Sequence, residues 1–267
     1  MIPAISQVCS LASSFEEDLA QFDLPGVEVW LTKLEAHVHE HGLEATARIV
    51  EAYPGKLVAA AYQGGLWQNP SAARDEAWQL FRSRLELCRA IGIPVVIVAA
   101  DMAGKPSIEL VRSWQDDLRR AGDLASEYGI RLAIEFQARA TVGNNLLSLA
   151  AILAPLEHDS LGICLDSFHF FTGPSQSEDL ARCPAELLFH VQLSDLLAQP
   201  RELASDSDRI LPGDGDIPLS PIVEHLRRTD YQGAVSVETL DPLIGQSPPA
   251  QLGDAVRAAL ERLGVEE

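Results

Sequence analysis

Four strand-like runs in the second half of the sequence indicate its architecture: LAIEF (132–136), LGICLD (161–166), FHVQL (189–193) and AVSVE (234–238). Each run is mostly apolar and carries one metal-competent side chain at or next to its C-terminal end. These side chains are Glu135, Asp166, Gln192 and Glu238. Parallel strands are buried on both faces, and a carboxylate there is costly unless it is paired or binds a cation. The runs therefore predict a parallel sheet with a cation site at the carboxyl ends of its strands.

Strand signals recur along the whole chain, with helical patterns between them. The eight predicted strands cover residues 2–9, 27–31, 57–62, 94–99, 131–136, 161–166, 188–193 and 234–238. The clearest predicted helices cover residues 71–91, 107–128, 218–229 and 249–263, and Asn69 and Pro70 predict a cap and first residue for the first of them. Alternating strands and helices form βαβ units, and eight such units are typical of a (β/α)8 barrel.

We therefore predict an α/β protein with a (β/α)8 TIM barrel, as one domain over residues 1–267. The alternative is an open doubly wound sheet. Its nucleotide-binding form is disfavoured because the sequence lacks GxGxxG and Walker A loops.

The net charge of −19 is spread through the chain. This charge argues against nucleic acid or an anionic membrane surface as a partner. No apolar run reaches the roughly 18 residues that a membrane span needs. The sequence favours a small-molecule partner and leaves a homo-oligomer open.

Cysteine usage bears on the cellular compartment. The four cysteines, Cys9, Cys88, Cys164 and Cys183, form no CxxC motif. Free thiols in a reducing compartment are the simple interpretation, and one structural disulfide is the alternative. The N-terminal residues also lack the basic and long apolar segments of an export signal. We therefore expect a cytoplasmic protein.

The strand-end residues predict the chemistry of the site. A barrel brings the carboxyl ends of its strands to one mouth. Two Glu, one Asp and one amide there make an oxygen-rich site for one divalent metal ion, Mn2+, Co2+, Mg2+ or Zn2+. Glu135 and Glu238 end strands that are three apart, so we expect them to face each other. Each can bind the metal with one oxygen and still move a proton, which makes them the predicted catalytic pair.

Other polar residues surround these predicted ligands. His169 follows Asp166 by three residues, which places its imidazole beside the metal as an acid, a base or a group that polarises a substrate oxygen. Strand alternation puts His190 on the face of Gln192 but one layer lower, as a donor behind the ligand or a core histidine. Asp195 is predicted to cap the following loop or to orient another group.

Two loops are predicted to contact the substrate. The longest irregular stretch, residues 195–216, has the length of an active-site lid. Within it, Arg209 precedes ILPGDGD and could hold a substrate oxygen or carboxylate. Gln63 and Trp67, in AYQGGLW after the third strand, are predicted to line the substrate pocket. Glu28, in the second strand, is predicted to be a barrel-interior acid.

These residues resemble the xylose-isomerase-like TIM-barrel superfamily of sugar isomerases and epimerases, over essentially the whole chain. The resemblance implies metal ligands on strands five to eight, which in this chain are Glu135, Asp166, Gln192 and Glu238. The D-x-x-H motif of the family is met by Asp166 and His169, and its Arg before a P-G-x-G loop by Arg209. Many members have His at the position of Gln192. Hydroxypyruvate isomerases and bacterial 3-dehydroshikimate dehydratases are more similar there.

The resemblance and the residues together predict a divalent-metal-dependent isomerase or epimerase of a small sugar or keto-polyol. The expected substrate is a small polyhydroxy carbonyl compound, and the expected step is proton transfer through a metal-stabilised enediolate. One alternative is a metal-dependent dehydratase, a lyase of the 3-dehydroshikimate or inosose dehydratase type, with His169 as acid or base. Another is a barrel that binds metal or sugar without catalysis.

Overall fold

Eight strands form a closed barrel in chain order in the computed structural model, which describes residues 1–266. The strands are β1 (Ile2–Ser6), β2 (Gly26–Trp30), β3 (Leu57–Gln63), β4 (Val95–Ala100), β5 (Arg131–Phe136), β6 (Leu161–Asp166), β7 (Leu188–Leu193) and β8 (Ala234–Val237). Neighbouring strands pair in parallel, as β4 does with β5 and β7 with β8. The predicted (β/α)8 TIM barrel is therefore confirmed.

Helices lie between the strands in the described part of the chain. They are α1 (Phe15–Gln21), α2 (Leu31–His41), α3 (Leu43–Glu51), α4 (Ala72–Ile91), α5 (Ile108–Glu127), α6 (Leu146–Leu153), α7 (Ser167–Thr172), α8 (Ser220–Arg228) and α9 (Pro249–Leu263). Among residues 1–266, none of the helices has the length and apolar character that crossing a membrane requires.

The strand interiors have the burial of a parallel sheet. Every residue of β4, with the sequence VVIVAA, is buried. Its partner β5 is buried from Leu132 to Phe136 and pairs with β4 from Val95↔Arg131 to Ala100↔Phe136. Strands covered on both faces have near-continuous apolar runs of this kind. The same register places Glu135 opposite Ala99. Glu135 is the last residue but one of β5.

The first strand is shorter than predicted. It ends at Ser6, and a 3-10 helix occupies Gln7–Ser10 instead of a strand that continues to Cys9. The side chain of Gln7 explains the change, because its Nε2 donates to Asp18 at 3.0 Å and its Oε1 accepts from the backbone N–H of Trp30 at 3.2 Å. These contacts with distant residues turn the chain out of the sheet.

The predicted cap of α4 is wrong by two residues. Ser71, not Asn69, is the N-cap, and its side chain accepts a hydrogen bond from the backbone N–H of Arg74 at 3.2 Å. The hydroxyl of serine satisfies one of the unpaired N–H groups at the start of a helix as well as an asparagine does. The other end agrees with the prediction, since Gly92 closes the helix at a φ of 79°, which glycine adopts without strain.

The chain divides into two compact units. The central unit is Ala61–His190, and the terminal unit joins Met1–Ala60 to the described residues from Val191 onward. In the central unit, the indole ring of Trp67 meets the rings of Trp78 and Trp114 edge-on, with centroids 6.4 and 6.1 Å apart. The extent of the predicted single domain stays a prediction.

A buried ion pair and buried thiols complete the interior. In the terminal unit, Lys33 and Asp18 form an ion pair at 2.7 Å, and burial raises the pKa of that carboxyl while the ammonium opposes the shift. All four cysteines are buried free thiols. The disulfide alternative is therefore wrong.

Candidate functional site

Glu135, Asp166 and His169 converge within the central unit. One potential ligand atom from each residue lies within 4.8 Å of the others, and all three side chains are buried. Glu135 comes from the end of β5, and Asp166 ends β6. His169 follows in α7, and its Nε2 lies 3.8 Å from Oε1 of Glu135. The structure thus brings these three predicted residues together, and their roles in a site stay a prediction.

The local sequence D-S-F-H fixes two members of this group at once. Asp166 is the N-cap of α7, and its Oδ1 accepts a 2.8 Å hydrogen bond from the backbone N–H of His169. Aspartate is a preferred N-cap because its carboxylate satisfies an unpaired N–H of the first turn and interacts favourably with the helix dipole. The capping bond holds the backbone of His169 against Asp166.

Glu135 is oriented by a residue that the sequence analysis did not select. The side-chain amide of Gln137 donates from Nε2 to Oε2 of Glu135 at 2.6 Å. This bond engages Oε2, while Oε1 is the oxygen that lies closer to the imidazole of His169. The sequence contains a signal for this contact, because Gln137 follows Glu135 by two residues. Side chains two residues apart along an extended chain lie on the same face.

The predicted pocket residues Gln63 and Trp67 are both buried in the central unit. The indole N–H of Trp67 donates to the backbone carbonyl of Ala99 at 2.7 Å, and Ala99 is the register partner of Glu135. The Oε1 of Gln63 accepts from Arg84 at 3.1 Å, and its Nε2 donates to the carbonyl of Gly64. These contacts fix both side chains, and their role in substrate binding stays a prediction.

Glu238 and Arg209 meet in the terminal unit. Glu238 follows β8, and its backbone N–H donates to the carbonyl of Leu193 at 3.0 Å. The Nη1 of Arg209 donates to Oε2 of Glu238 at 3.0 Å, while its Nε and Nη2 donate to Oδ1 of Asp206 at 3.0 and 2.8 Å. The guanidinium therefore joins a strand-end acid to an acid of its own loop.

Asp195 orders the loop that carries Arg209. Its backbone exchanges hydrogen bonds with Ile210 at 2.9 and 3.0 Å. Its carboxylate accepts from the backbone N–H groups of Leu196, Gly213 and Ile217 at 2.8 to 2.9 Å. A side chain at Gly215 would come within 2.5 Å of this carboxylate, which accounts for the glycine. Hydrogen bonds to a charged group contribute about 1.5–3 kcal/mol each, so Asp195 fixes the loop, as one of its two predicted roles requires.

Gln192 contacts a buried acid in the terminal unit. Its Nε2 donates to Oε1 of Glu28 at 3.0 Å, and the hydroxyl of Ser236 donates to Oε2 of the same carboxylate. Gln192 and Ser236 are register partners on β7 and β8. His190, the predicted donor behind the ligands, is also buried. Its contact with a ligand stays a prediction.

The donor set in the central unit fits a divalent metal ion. Two carboxylates and one imidazole are ligands that zinc, manganese and cobalt accept. Buried carboxylates that approach one another need a compensating positive charge, because burial disfavours the ionised form. Glu135 and Asp166 meet this description, and a ring nitrogen of His169 lies within 4.8 Å of a carboxylate oxygen of each.

Known proteins resemble this chain in sequence. Inosose isomerase of Halalkalibacterium halodurans is 28% identical over 216 residues, which cover 79% of this chain and 76% of that protein. The 3-dehydroshikimate dehydratase of Pseudomonas putida is 26% identical over 184 residues, which cover 66% of this chain and 28% of that protein. The matched segment is thus only a part of the dehydratase.

Solved structures resemble it in fold. A crystal structure of the IolI protein with a bound zinc atom has a TM-score of 0.91 and 23% identity, and the match covers 98% of both chains. A likeness at this level of identity shows a shared fold. A family model described as xylose isomerase-like TIM barrel matches residues 13–263 of this chain. The chain therefore belongs to the xylose isomerase-like TIM barrel family.

Proposed function

We propose that this protein is a divalent-metal-dependent isomerase or epimerase of a small polyhydroxy carbonyl compound. The observation that carries the proposal is the convergence of Glu135, Asp166 and His169 within 4.8 Å. Membership of the family supports it, as does the similarity to a protein named inosose isomerase. An inosose, a cyclic ketone with several hydroxyl groups, belongs to the substrate class that we propose.

Glu135 and Asp166 are the residues of the central unit that would hold the metal, and His169 is close enough to join them. Gln192 and Glu238 complete the ligand set that the sequence predicts. When bound, a divalent cation polarises the carbonyl group of the substrate and makes the proton on the neighbouring carbon more acidic. The identity of the ion, Mn2+, Co2+, Mg2+ or Zn2+, is left to experiment.

The side chains of the protein then move the proton. Glu135 takes it with one carboxylate oxygen while the other can hold the metal, and Gln137 donates to Oε2 of this carboxylate at 2.6 Å. Glu238 is the predicted donor that returns a proton, and Arg209 holds one of its oxygens at 3.0 Å. General acid–base catalysis by such groups contributes about 10²–10⁴-fold in rate. Arg209 is also the predicted contact of a substrate oxygen.

A dehydratase is the second candidate, and two observations favour it. His169 lies 3.8 Å from Glu135, so an acid and a base are close enough to act on neighbouring carbons of one substrate. The similarity to a protein named 3-dehydroshikimate dehydratase points to the same reaction class. In this case Glu135 takes the proton, and His169 donates a proton to the hydroxyl that leaves as water.

Solvent exchange distinguishes these candidates. The protein, loaded in turn with Mn2+, Co2+, Mg2+ or Zn2+, is incubated in D2O with inososes and with 3-dehydroshikimate, and the products are followed by proton NMR. Deuterium at the carbon next to the carbonyl, together with a new isomer, supports the isomerase. A new conjugated double bond supports the dehydratase. If a compound binds but none of the four metal-loaded samples shows deuterium exchange, the protein is a barrel that binds sugar without catalysis. Glu135→Gln is the matched control and should show no exchange.

A further inference from the structure

Two histidine rings lie side by side at the end of α2 in the terminal unit. His37 and His41 are four residues apart on this helix, so their side chains share one face of it. The centroids of the two rings are 4.6 Å apart. Histidines at this helical spacing are a recurrent pair of zinc ligands in proteins. The side chain of His37 is buried, whereas that of His41 is 48% exposed.

Thr46 determines which nitrogen of His37 carries the proton. The hydroxyl of Thr46 donates its one proton to the backbone carbonyl of Gly42 at 3.0 Å. Its Oγ1 also lies 3.0 Å from Nδ1 of His37, and with its proton already used it can only accept there. Nδ1 therefore carries a proton and donates to Thr46. Because burial favours the neutral form of an imidazole, Nε2 of His37 is left with a lone pair.

This lone pair is not used by a hydrogen bond within the described chain. Nε2 of His37 is buried and has no hydrogen-bond partner among residues 1–266. An acceptor that loses its hydration without gaining a donor costs free energy. The rings of Phe15 and His41 pack against that of His37, with centroids 5.2 and 4.6 Å away. Of these two neighbours, only His41 has a nitrogen that can bind a metal ion.

We propose that His37 and His41 form a further metal site, which binds one divalent transition-metal ion through Nε2 of His37 and a ring nitrogen of His41. Imidazole suits zinc, copper and nickel, and metal–nitrogen bonds of about 2.0–2.1 Å let one ion join the nitrogens of neighbouring rings. Metal-binding histidines usually donate their other N–H to an oxygen, and Thr46 accepts it here. Oε2 of Glu40 lies 3.7 Å from Nε2 of His41 and places negative charge beside the pair.

The exposed member of the pair gives the ion a route to the buried nitrogen. His41 is the last residue of α2. Exposed side chains change rotamer within picoseconds to nanoseconds, so the ring of His41 can turn and admit the ion to Nε2 of His37. The site uses residues of the terminal unit alone. It therefore does not depend on the proposed function.

A titration with Cu2+ tests this site, because copper binds imidazole tightly and its electron paramagnetic resonance spectrum shows coupling to ligand nitrogens. The protein is full-length, carries no histidine tag and has been treated with chelator. A His169→Gln background removes the imidazole of the central group from the count. We expect one equivalent of Cu2+ coupled to two nitrogens. His41→Gln in this background should weaken the site at least about 10-fold, since even outer partners of metal ligands contribute that much.

His39→Gln is the matched control. His39 is an exposed histidine of the same helix, and residues two apart on a helix do not face each other. This variant should bind Cu2+ as the background protein does. Thermal unfolding without metal checks that each variant is folded, and His41 is the tested ligand because its exposed side chain contributes little to the core. Unchanged binding in His41→Gln, an equal loss in His39→Gln, or a copper spectrum without nitrogen coupling would overturn the proposal.

Discussion

The guanidinium of Arg209 lies 3.0 Å from the carboxylate of Glu238, and the side chain of Arg209 is only 2% exposed. The same guanidinium binds the more exposed carboxylate of Asp206 through two nitrogens. A planar guanidinium can serve both acids because it presents donors in several directions in a fixed geometry. The loop that follows β7 therefore delivers a fixed positive charge to the acid at the end of β8.

Removal of this charge should destabilise the protein. Arg209→Met leaves the carboxylate of Glu238 largely buried without its cation, and loss of one partner of a buried pair costs about 3–5 kcal/mol. The free energy of unfolding, measured in urea, should fall by about that amount. The double variant Arg209→Met/Glu238→Gln should recover part of the loss, since no uncompensated charge is left. Arg48→Met, at an exposed position of α3 in the same unit, is the control. Parental stability in Arg209→Met would show that the pair contributes nothing.

The two strand-end glutamates should be needed for chemistry. Glu135→Gln and Glu238→Gln are nearly isosteric, so the fold should survive. Each should lower kcat by more than about 10²-fold, because neither amide can take or return a proton. Steady-state rates on the substrate that the exchange experiment identifies give the measurement. Glu127→Gln, at an exposed position near the end of α5, should keep the parental rate. Near-parental rates in both strand-end variants would show that the assigned proton transfers are wrong.

The residue at position 192 should control metal preference. An amide oxygen is a weaker donor than imidazole for Zn2+ or Co2+, so Gln192→His should raise the affinity for those ions. The affinity of the Gln192→His variant for Mg2+ should change little or fall. Gln192→Leu removes the donor and should weaken the binding of every ion. Calorimetric titration of chelator-treated protein with each metal decides the question. If Gln192→Leu binds all ions as tightly as the parent, Gln192 is not a ligand.

Alkaline pH should destabilise the fold through two buried thiols. Burial raises the pKa of Cys9 from 9.0 to about 12 and that of Cys183 from 9.0 to about 11. Below pH 9 both thiols are protonated in the folded and the unfolded chain, and their contribution to stability is fully present. As the pH rises towards the folded values, the unfolded chain releases protons that the folded chain keeps, and that contribution is lost. The loss approaches about 1.4 kcal/mol per pH unit for each thiol.

Urea unfolding at pH 8 and pH 10 measures this loss. The double variant Cys9→Ala/Cys183→Ala is the control, because it lacks both thiols. The free energy of unfolding of the parent should fall more steeply with pH than that of the double variant. Equal slopes in the two proteins would contradict the assignment of the alkaline loss to these cysteines.

The barrel could be predicted from the sequence because its signals are local. Each strand is a short apolar run, and β5, β6 and β7 have the predicted bounds. The end of β1 could not be predicted, because the chain leaves the sheet where Gln7 bonds to Asp18 and Trp30. No local pattern reveals contacts with those residues.

The candidate site also has some features that local sequence predicts and others that depend on distant contacts. The D-x-x-H spacing of Asp166 and His169 is local, and it led to the cluster that the structure contains. The bond between Glu28 and Gln192 joins residues 164 positions apart in the sequence, and only the folded barrel brings them together. The sequence could therefore nominate the strand-end residues and Glu28 as an interior acid, but not the hydrogen bond that joins Glu28 to Gln192.

Metal binding by the group of Glu135, Asp166 and His169 is the central claim, and a calorimetric titration of Mn2+ into chelator-treated protein tests it most directly. Asp166→Asn is the informative variant, because asparagine also caps helices well and should leave α7 intact. We expect one binding site per chain in the parent and an affinity at least about 10-fold lower in the variant, since even outer partners of metal ligands contribute that much. Absence of binding in the parent, or equal affinity in the parent and Asp166→Asn, would contradict the account.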